Sequence, residues 1–194
     1  MRHYGAPCRL IDFTYSFYVA LYFALKKVTS NQTAAVWAVN QKWLREKFNS
    51  SFPTEKGRTE FRFHDPKDYY DHFLIDKPYD FVAPVNPFRQ NQRLTAQQGI
   101  FLSPGNISKT FMENLISGDA LGERKKVIRI PIEGTVKTDV IRYLRRMNIN
   151  SATLYPDLQG FAEYLSDWFY LPMAFLDEDL REALMGQCPD NRHI

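Results

Sequence analysis

The chain has 194 residues, enough for one domain with a sizeable hydrophobic core, or for a domain with an appendage. Its composition is globular, with 44% hydrophobic and 24% charged residues. The formal net charge of +3 permits contact with nucleotides or acidic partners, but it does not demand a nucleic-acid binder. Cys8 and Cys188 form neither a disulfide framework nor a zinc motif, so a reducing cytoplasm is the predicted compartment.

An apolar run at residues 17–25 contains nine residues before Lys26 and Lys27. Spanning a bilayer takes about 20 apolar residues. The small-x-small cleavage pattern of a signal peptide does not follow the run. We therefore predict a buried helix here and no contact with a membrane.

Strand and helix patterns alternate along the chain, which predicts a mixed α/β or α+β domain. Residues 8–13 read as a buried strand, and Thr14 or Ser16 can cap the helix that follows. A second buried strand is predicted over 33–40, and the proline-rich segment 78–94 is expected to be extended. Further strands are predicted over 96–106 and 125–132, and further helices over 41–48, 107–116, 136–148 and 157–170.

The polar and aromatic stretch 49–87 has no steady period, and we predict a long insertion or flap there, within a domain that spans 1–176. The charged residues 177–194 are predicted to form a surface tail. Within the flap, His64, Asp68 and His72 are four residues apart and would share one face of a helix, as metal ligands can. Because no second cluster supports such a site, no metal is predicted.

Three stretches, in matching order and spacing, resemble the FRG domain family, which is named for a Phe-Arg-Gly signature. They are HYGAPCRLIDFTYSFYVALYFAL (3–25), NQRLTAQQGIF (91–101) and LRRMNINSATLYPDLQGFAEYL (144–165). The signature itself is absent, and the family would place it upstream of His3. We therefore expect the chain to start inside an FRG-like domain, with an open sheet edge that self-association or a strand from another chain would cover.

The FRG-like blocks are distantly similar in layout to the ADP-ribosyltransferase fold. This similarity implies a split sheet with flanking helices and a C-terminal helical segment, and it implies that NAD is a substrate. The implied catalytic residues are His3, Gln97 and Gln98, and the implied NAD-binding residues are Tyr4, Arg9, Asp12, Thr14 and Ser16.

The chemistry of such a site explains these residue types. Cleavage of the nicotinamide–ribose bond develops positive charge on the ribose, and a nearby acceptor side chain stabilises that charge. The hydroxyls of Thr14 and Ser16 would hold the ribose or the amide, Arg9 would pair with the pyrophosphate, and an aromatic ring would stack on nicotinamide. Gln97 or Gln98 is a weaker electrostatic partner than glutamate, which fits transfer to a nucleic-acid base or weak activity.

Structural explanations compete with each of these roles. Arg9 and Asp12 can form an ion pair, and His3 can shape the loop around it. Gln97 can satisfy backbone groups at a strand edge, and Thr14 can act only as a helix cap. A basic edge on the predicted helix 136–148 can be a solvated face or a phosphate contact; it comprises Arg142, Arg145 and Arg146.

The leading hypothesis from the sequence is an ADP-ribosyltransferase-like, NAD-using enzyme. It would act as a toxin or phage-defence effector that modifies nucleic acid or protein, with self-association or an antitoxin as further partners. The alternative is a non-catalytic FRG-type binding module, which the absent signature favours. A metal-dependent nuclease around His64 and His72 is a third hypothesis. The sequence leaves open whether the protein is an enzyme.

Overall fold

Seven helices and two small antiparallel sheets make up residues 8–51, 80–86, 91–117 and 126–170, the part of the chain that the computed structural model describes. The strands are β1 (Ile11–Thr14), β2 (Thr33–Val39), β3 (Val82–Val85), β4 (Gly99–Pro104) and β5 (Val127–Glu133), and the helices are α1 (Phe17–Lys26), α2 (Gln41–Ser51), α3 (Gln92–Ala96), α4 (Phe111–Ile116), α5 (Lys137–Arg146), α6 (Ser151–Leu154) and α7 (Leu158–Tyr170). The predicted mixed α+β class is confirmed.

The chain divides into two compact units, one ending at Lys137 and the other beginning at Thr138. The first unit contains both sheets. In its three-stranded sheet the order is β1-β4-β3, with β4 antiparallel to both neighbours. In its two-stranded sheet β2 pairs antiparallel with β5, from Thr33 opposite Glu133 to Val39 opposite Val127.

The core of the first unit forms where α2, β3, β4 and α4 meet. Its buried side chains are Trp43, Leu44, Val82, Leu102 and Leu115, with Phe13, Val39, Phe111, Met112 and Val127 packed against them. In α2, the buried residues Trp43 and Leu44 lie on the apolar side of an amphipathic helix, as its periodicity predicts. The core therefore draws on both sheets, because Phe13 of β1 and Val39 of β2 pack against the same apolar cluster.

Helix α1 is fixed at both ends by side chains. At its start, the Val19 amide donates a hydrogen bond to the Ser16 hydroxyl at 3.3 Å, so Ser16 is the helix cap. At its end, the Lys137 ammonium donates to the carbonyl oxygens of Lys26 (3.2 Å) and Val28 (2.8 Å). A cation at this position satisfies carbonyl groups that the helix leaves without a partner, and it complements the negative end of the helix dipole.

Three local expectations were wrong. Residues 92–96 are helical rather than extended, because the Asn91 side chain accepts a hydrogen bond from the Leu94 amide at 2.7 Å and starts a helix. Gln97 and Gln98 lie in the turn after this helix, not on the strand, which begins at Gly99. The strands predicted as buried are largely open: Val36 is the buried residue of β2, and the side chains of β1 are half-buried or exposed.

The second unit contains α5, α6 and α7 and the third block of the FRG resemblance. Asn150 caps α6 through a reciprocal pair of hydrogen bonds with Thr153. On the predicted basic edge, the Arg145 guanidinium lies 3.2 Å from the Asp167 carboxylate and 5.9 Å from the Tyr164 ring centroid. This arginine therefore serves packing within the unit as well as surface charge.

Several predictions fall on residues outside the described part of the chain and stay predictions. These are His3 and Tyr4, the His64/Asp68/His72 cluster, most of the flap 49–87 and the tail 177–194. Across the ranges that are described, no helix combines the length and apolar character needed to cross a membrane.

Asp80 anchors the loop between β4 and α4. Its carboxylate accepts hydrogen bonds from the Asn106 amide at 2.9 Å and from the Lys109 ammonium. The buried Asn114 amide donates to the carbonyl oxygens of Asn106 and Thr110, both at 2.9 Å. The hydrogen bond from Lys109, followed by that from Asn106, lowers the pKa of Asp80 below its ordinary value.

This pKa shift predicts an acid-sensitive contribution to stability. Because folding lowers the pKa of Asp80, the contribution is fully present above the ordinary aspartate value, about 4, and is lost as the pH falls through the lower folded-state pKa. We expect Asp80→Asn to lower the Tm at pH 7, and we expect the difference from wild type to shrink on acidification to about pH 3. Lys109→Met should give the same profile. A Tm difference that does not change with pH would contradict this assignment.

Gly134 is required by close packing between the turn before α5 and the loop after α1. A Cβ at this position would lie 2.6 Å from the Gln32 carbonyl oxygen and closer still to that of Thr29. We expect Gly134→Ala to destabilise the protein by about 2–3 kcal/mol, since backbone atoms would have to move. Thermal unfolding should show a drop of about 4–12 °C. The neighbouring exposed Thr135→Ala is the control, and an equal Tm for both variants would refute the packing argument.

Candidate functional site

Two hollows lie between β1 and β2 in the first unit. The larger, of about 390 Å³, we call the polar hollow, because Asp12, Thr14 and Gln97 line it among mostly apolar side chains that include Phe23 and Trp37. The smaller, of about 270 Å³, we call the apolar hollow; Phe13, Phe17, Val39, Leu44, Ile100 and Leu102 contribute most of its walls. Phe13, Thr14, Ala20, Val36 and Trp37 line both. A volume of this order suits a small-molecule ligand or one part of a larger one.

Thr14 determines the geometry at the boundary between the hollows. Its hydroxyl donates a hydrogen bond to the Gln97 carbonyl oxygen at 2.7 Å and accepts one from the Ser16 amide at 3.0 Å. The Tyr15 amide adds a bond to the Gln98 carbonyl oxygen at 3.0 Å. Thr14 therefore connects the end of β1 to the turn before β4. The sequence analysis had assigned it to helix capping or ligand binding and did not predict this role.

The turn before β4 separates the two predicted glutamines. Gln97 lines the polar hollow, whereas Gln98 is exposed and borders neither hollow. Gln98 has a φ of 48°, a left-handed conformation that is uncommon for residues other than glycine. Gly99 follows directly, and a Cβ there would meet the Leu94 side chain. The turn is thus closely packed, and it places Gln97 at the polar hollow and Gln98 outside both hollows.

The structure brings part of the predicted site together. Asp12, Thr14 and Gln97 line the polar hollow, and Ser16 lines the neighbouring apolar hollow. Arg9 is half-buried and borders neither. Among the described residues that line the two hollows, Asp12 carries the only charged side chain.

Sequence reasoning missed two aromatic residues. Trp37 lines both hollows and is 43% exposed, and Phe23 lines the polar hollow. Both had been assigned to buried elements. An exposed tryptophan on a strand is a signal for a stacking surface, because its large apolar area is costly to leave in water. At the mouth of the apolar hollow, the Gln41 side-chain amide donates to the Tyr15 hydroxyl at 3.2 Å.

These groups favour a planar, polar ligand. Trp37 and Phe23 offer ring faces for stacking, and Asp12 and Gln97 offer oxygen acceptors for hydroxyl groups. A carboxylate favours a neutral or cationic ligand group over a bare phosphate. Groups of three or more candidate metal ligands are absent from the residues that the structure describes.

The fold and these hollows define an α+β domain with a ligand-sized cleft between two small sheets. Residues 1–33 match the FRG domain family. The match contains β1, α1 and the first residue of β2, so the resemblance carried by the first sequence block is confirmed over that segment. No curated protein and no solved structure matches the chain.

The role assigned to Thr14 predicts a specific loss of stability. Thr14→Val keeps the side-chain shape but removes the hydrogen bonds to Gln97 and Ser16, so we expect a destabilisation of about 1–2 kcal/mol and faster amide exchange at Tyr15. The matched control is Thr33→Val, whose exposed hydroxyl makes only a 3.5 Å contact with Glu133. Thermal unfolding and hydrogen exchange measure both effects. Equal behaviour of the two variants would contradict the role.

Proposed function

We propose that the polar hollow binds NAD and that the protein is an ADP-ribosyltransferase-like enzyme. The observation that carries this proposal is the convergence of Asp12, Thr14 and Gln97 with two aromatic rings on one hollow of about 390 Å³. Two of these polar residues come from β1, and the third comes from the turn before β4. The site is therefore assembled by folding and is not a feature of one sequence stretch.

The aromatic wall supplies binding for the nicotinamide ring. The ring of NAD is planar and positively charged, and such a ring is attracted to the face of a tryptophan by stacking and by cation–π interaction. Trp37 is half-exposed at the hollow and presents such a surface. The Asp12 carboxylate, which belongs to the same lining, would add electrostatic attraction for the same cation.

The polar wall supplies stabilisation of the reacting ribose. As the nicotinamide–ribose bond breaks, positive charge develops on the ribose ring. Gln97 would accept a hydrogen bond from a ribose hydroxyl, and the Asp12 carboxylate would stabilise the developing charge without forming a covalent bond. A glutamine is a weaker partner than a glutamate would be, which fits a slow transferase or a nucleic-acid base as acceptor.

The acceptor class and the biological role rest on the family resemblance. Transfer to nucleic acid or protein, a role as a toxin or phage-defence effector, and control by an antitoxin are parts of the same proposal. The mild positive charge of the chain is compatible with a nucleic-acid target. Incubation with labelled NAD and either oligonucleotide or protein acceptors separates the two targets.

Titration calorimetry with NAD, combined with mass spectrometry of released nicotinamide, tests the proposal. We expect Trp37→Ala to weaken NAD binding about tenfold, as the loss of one stacking partner does. We expect Gln97→Ala to lower nicotinamide release at least tenfold with little change in binding, because its bond strengthens as charge develops. The control is Tyr18→Ala, an exposed α1 residue that lines neither hollow. If the wild-type protein neither binds NAD nor releases nicotinamide, the proposed enzymatic function is wrong.

A non-catalytic binding module is the second candidate. The observation that favours it is that the hydroxyls of Thr14 and Ser16 already bond to the backbone, which limits their use as ligand contacts. This candidate expects no nicotinamide release from the wild-type protein under any acceptor condition. Nicotinamide release by the wild-type protein that falls at least tenfold in Gln97→Ala would contradict this candidate.

A further inference from the structure

Trp37 and Arg129 lie side by side on one face of the two-stranded sheet. They are directly opposite each other in the antiparallel register of β2 and β5. Side chains that are opposite each other in such a pair share one face of the sheet, with Cβ atoms about 4.5–5.5 Å apart. Trp37 is 43% exposed and lines the polar hollow, and Arg129 is exposed. A cation on the surface therefore adjoins the ring to which we assign the nicotinamide.

The positive charge of Arg129 is not engaged elsewhere in the protein. Within the described part of the chain, its guanidinium makes no hydrogen bond and no ion pair. The other charged residue on this face of β2 and β5 is Glu133, at the end of the pairing and opposite Thr33. Four residues of strand, about 13 Å, separate Glu133 from Arg129. This face of the sheet thus presents an uncompensated cation beside Trp37.

The lining of the polar hollow lacks a partner for phosphate. Asp12 is the charged side chain among its described residues, and a carboxylate repels a phosphate. Arg9, which the sequence had assigned to the pyrophosphate, borders neither hollow and already takes part in an interaction within the protein. A hollow of about 390 Å³ suits one part of a dinucleotide. The phosphates of a bound NAD would therefore lie outside the lining, where a neighbouring cation would stabilise them.

We propose that Arg129 binds the phosphate of the nicotinamide half of NAD while Trp37 stacks on the nicotinamide ring. The inference rests on the proposed binding of NAD in the polar hollow. In this half of NAD a ribose separates the ring from its phosphate, so neighbouring ring-binding and phosphate-binding groups would hold both at once. A guanidinium suits this role, because its planar set of N–H donors pairs with two phosphate oxygens.

The assignment implies a preference for phosphorylated ligands. Nicotinamide riboside contains the ring and the ribose, and nicotinamide mononucleotide adds the one phosphate that Arg129 would bind. Because Arg129 is exposed, its attraction for this phosphate is screened by water and salt, and the preference is modest. The difference in affinity between the two ligands therefore isolates the contribution of the phosphate.

Ligand-detected NMR titrations of the full chain with these two compounds and with NAD test the inference. We expect the wild-type protein to bind the mononucleotide about fivefold more tightly than the riboside at about 50 mM salt, and to lose most of this preference at about 500 mM. Arg129→Gln should bind both compounds equally, with the affinity for the riboside unchanged. Arg129→Lys keeps the charge and should retain at least half of the preference.

Arg45→Gln is the matched control. It removes the same charge from an exposed position on α2 that lines neither hollow, and it should keep the fivefold preference. Thermal unfolding verifies that each variant is folded.

Several results would overturn the inference while NAD binding stands. They are equal binding of the two compounds by the wild-type protein, a preference that persists in Arg129→Gln, an equal loss in Arg45→Gln, or weaker binding of the riboside in Arg129→Gln. If the wild-type protein binds none of the three ligands, the inference and the proposed function fail together.

Discussion

The hydroxyl of Thr14 is the contact on which the candidate site depends. It donates to the Gln97 carbonyl oxygen and accepts from the Ser16 amide, so one small side chain joins the end of β1, the start of α1 and the turn before β4. Asp12 lies two residues earlier on the same face of β1, and its position relative to Gln97 follows from this junction. The residues of this site are far apart in the sequence, so their relative positions depend on a contact such as the hydrogen bonds of Thr14.

Local sequence signals predicted much of this framework. They did not predict the parts of it that contacts between distant residues determine. A helix cap at Thr14 or Ser16, the amphipathic α2 and the strand at β5 follow from residue type and periodicity alone, and the structure selects Ser16 as the cap. The turn at Gln97 and Gln98 does not, because a left-handed glutamine carries no sequence signature and is held by tertiary bonds from Thr14 and Tyr15. Sequence reasoning therefore named Gln97, which lines the polar hollow, but placed its backbone on the strand instead of in the turn.

Trp37 illustrates a second limit. An apolar run predicts a buried strand only if both faces of its sheet are covered, and the run itself does not report the number of neighbouring strands. In a two-stranded sheet, β2 buries Val36 and leaves Trp37 partly open at the hollows. The exposure of this ring is thus a property of the sheet arrangement, and it became a candidate binding feature only when the topology was known.

The segment that matches the FRG domain contains much of the wall between the two hollows. Residues 1–33 include Asp12 and Thr14 on one face of β1, Phe13 on the other, and the small Ala20 at the shared boundary. A compact ligand in the polar hollow would meet Asp12 and Thr14 of this segment together with Trp37 of β2 and Gln97 of the turn before β4. The segment that matches the family therefore supplies only part of the candidate site, and the remainder depends on how the two small sheets come together in the first unit.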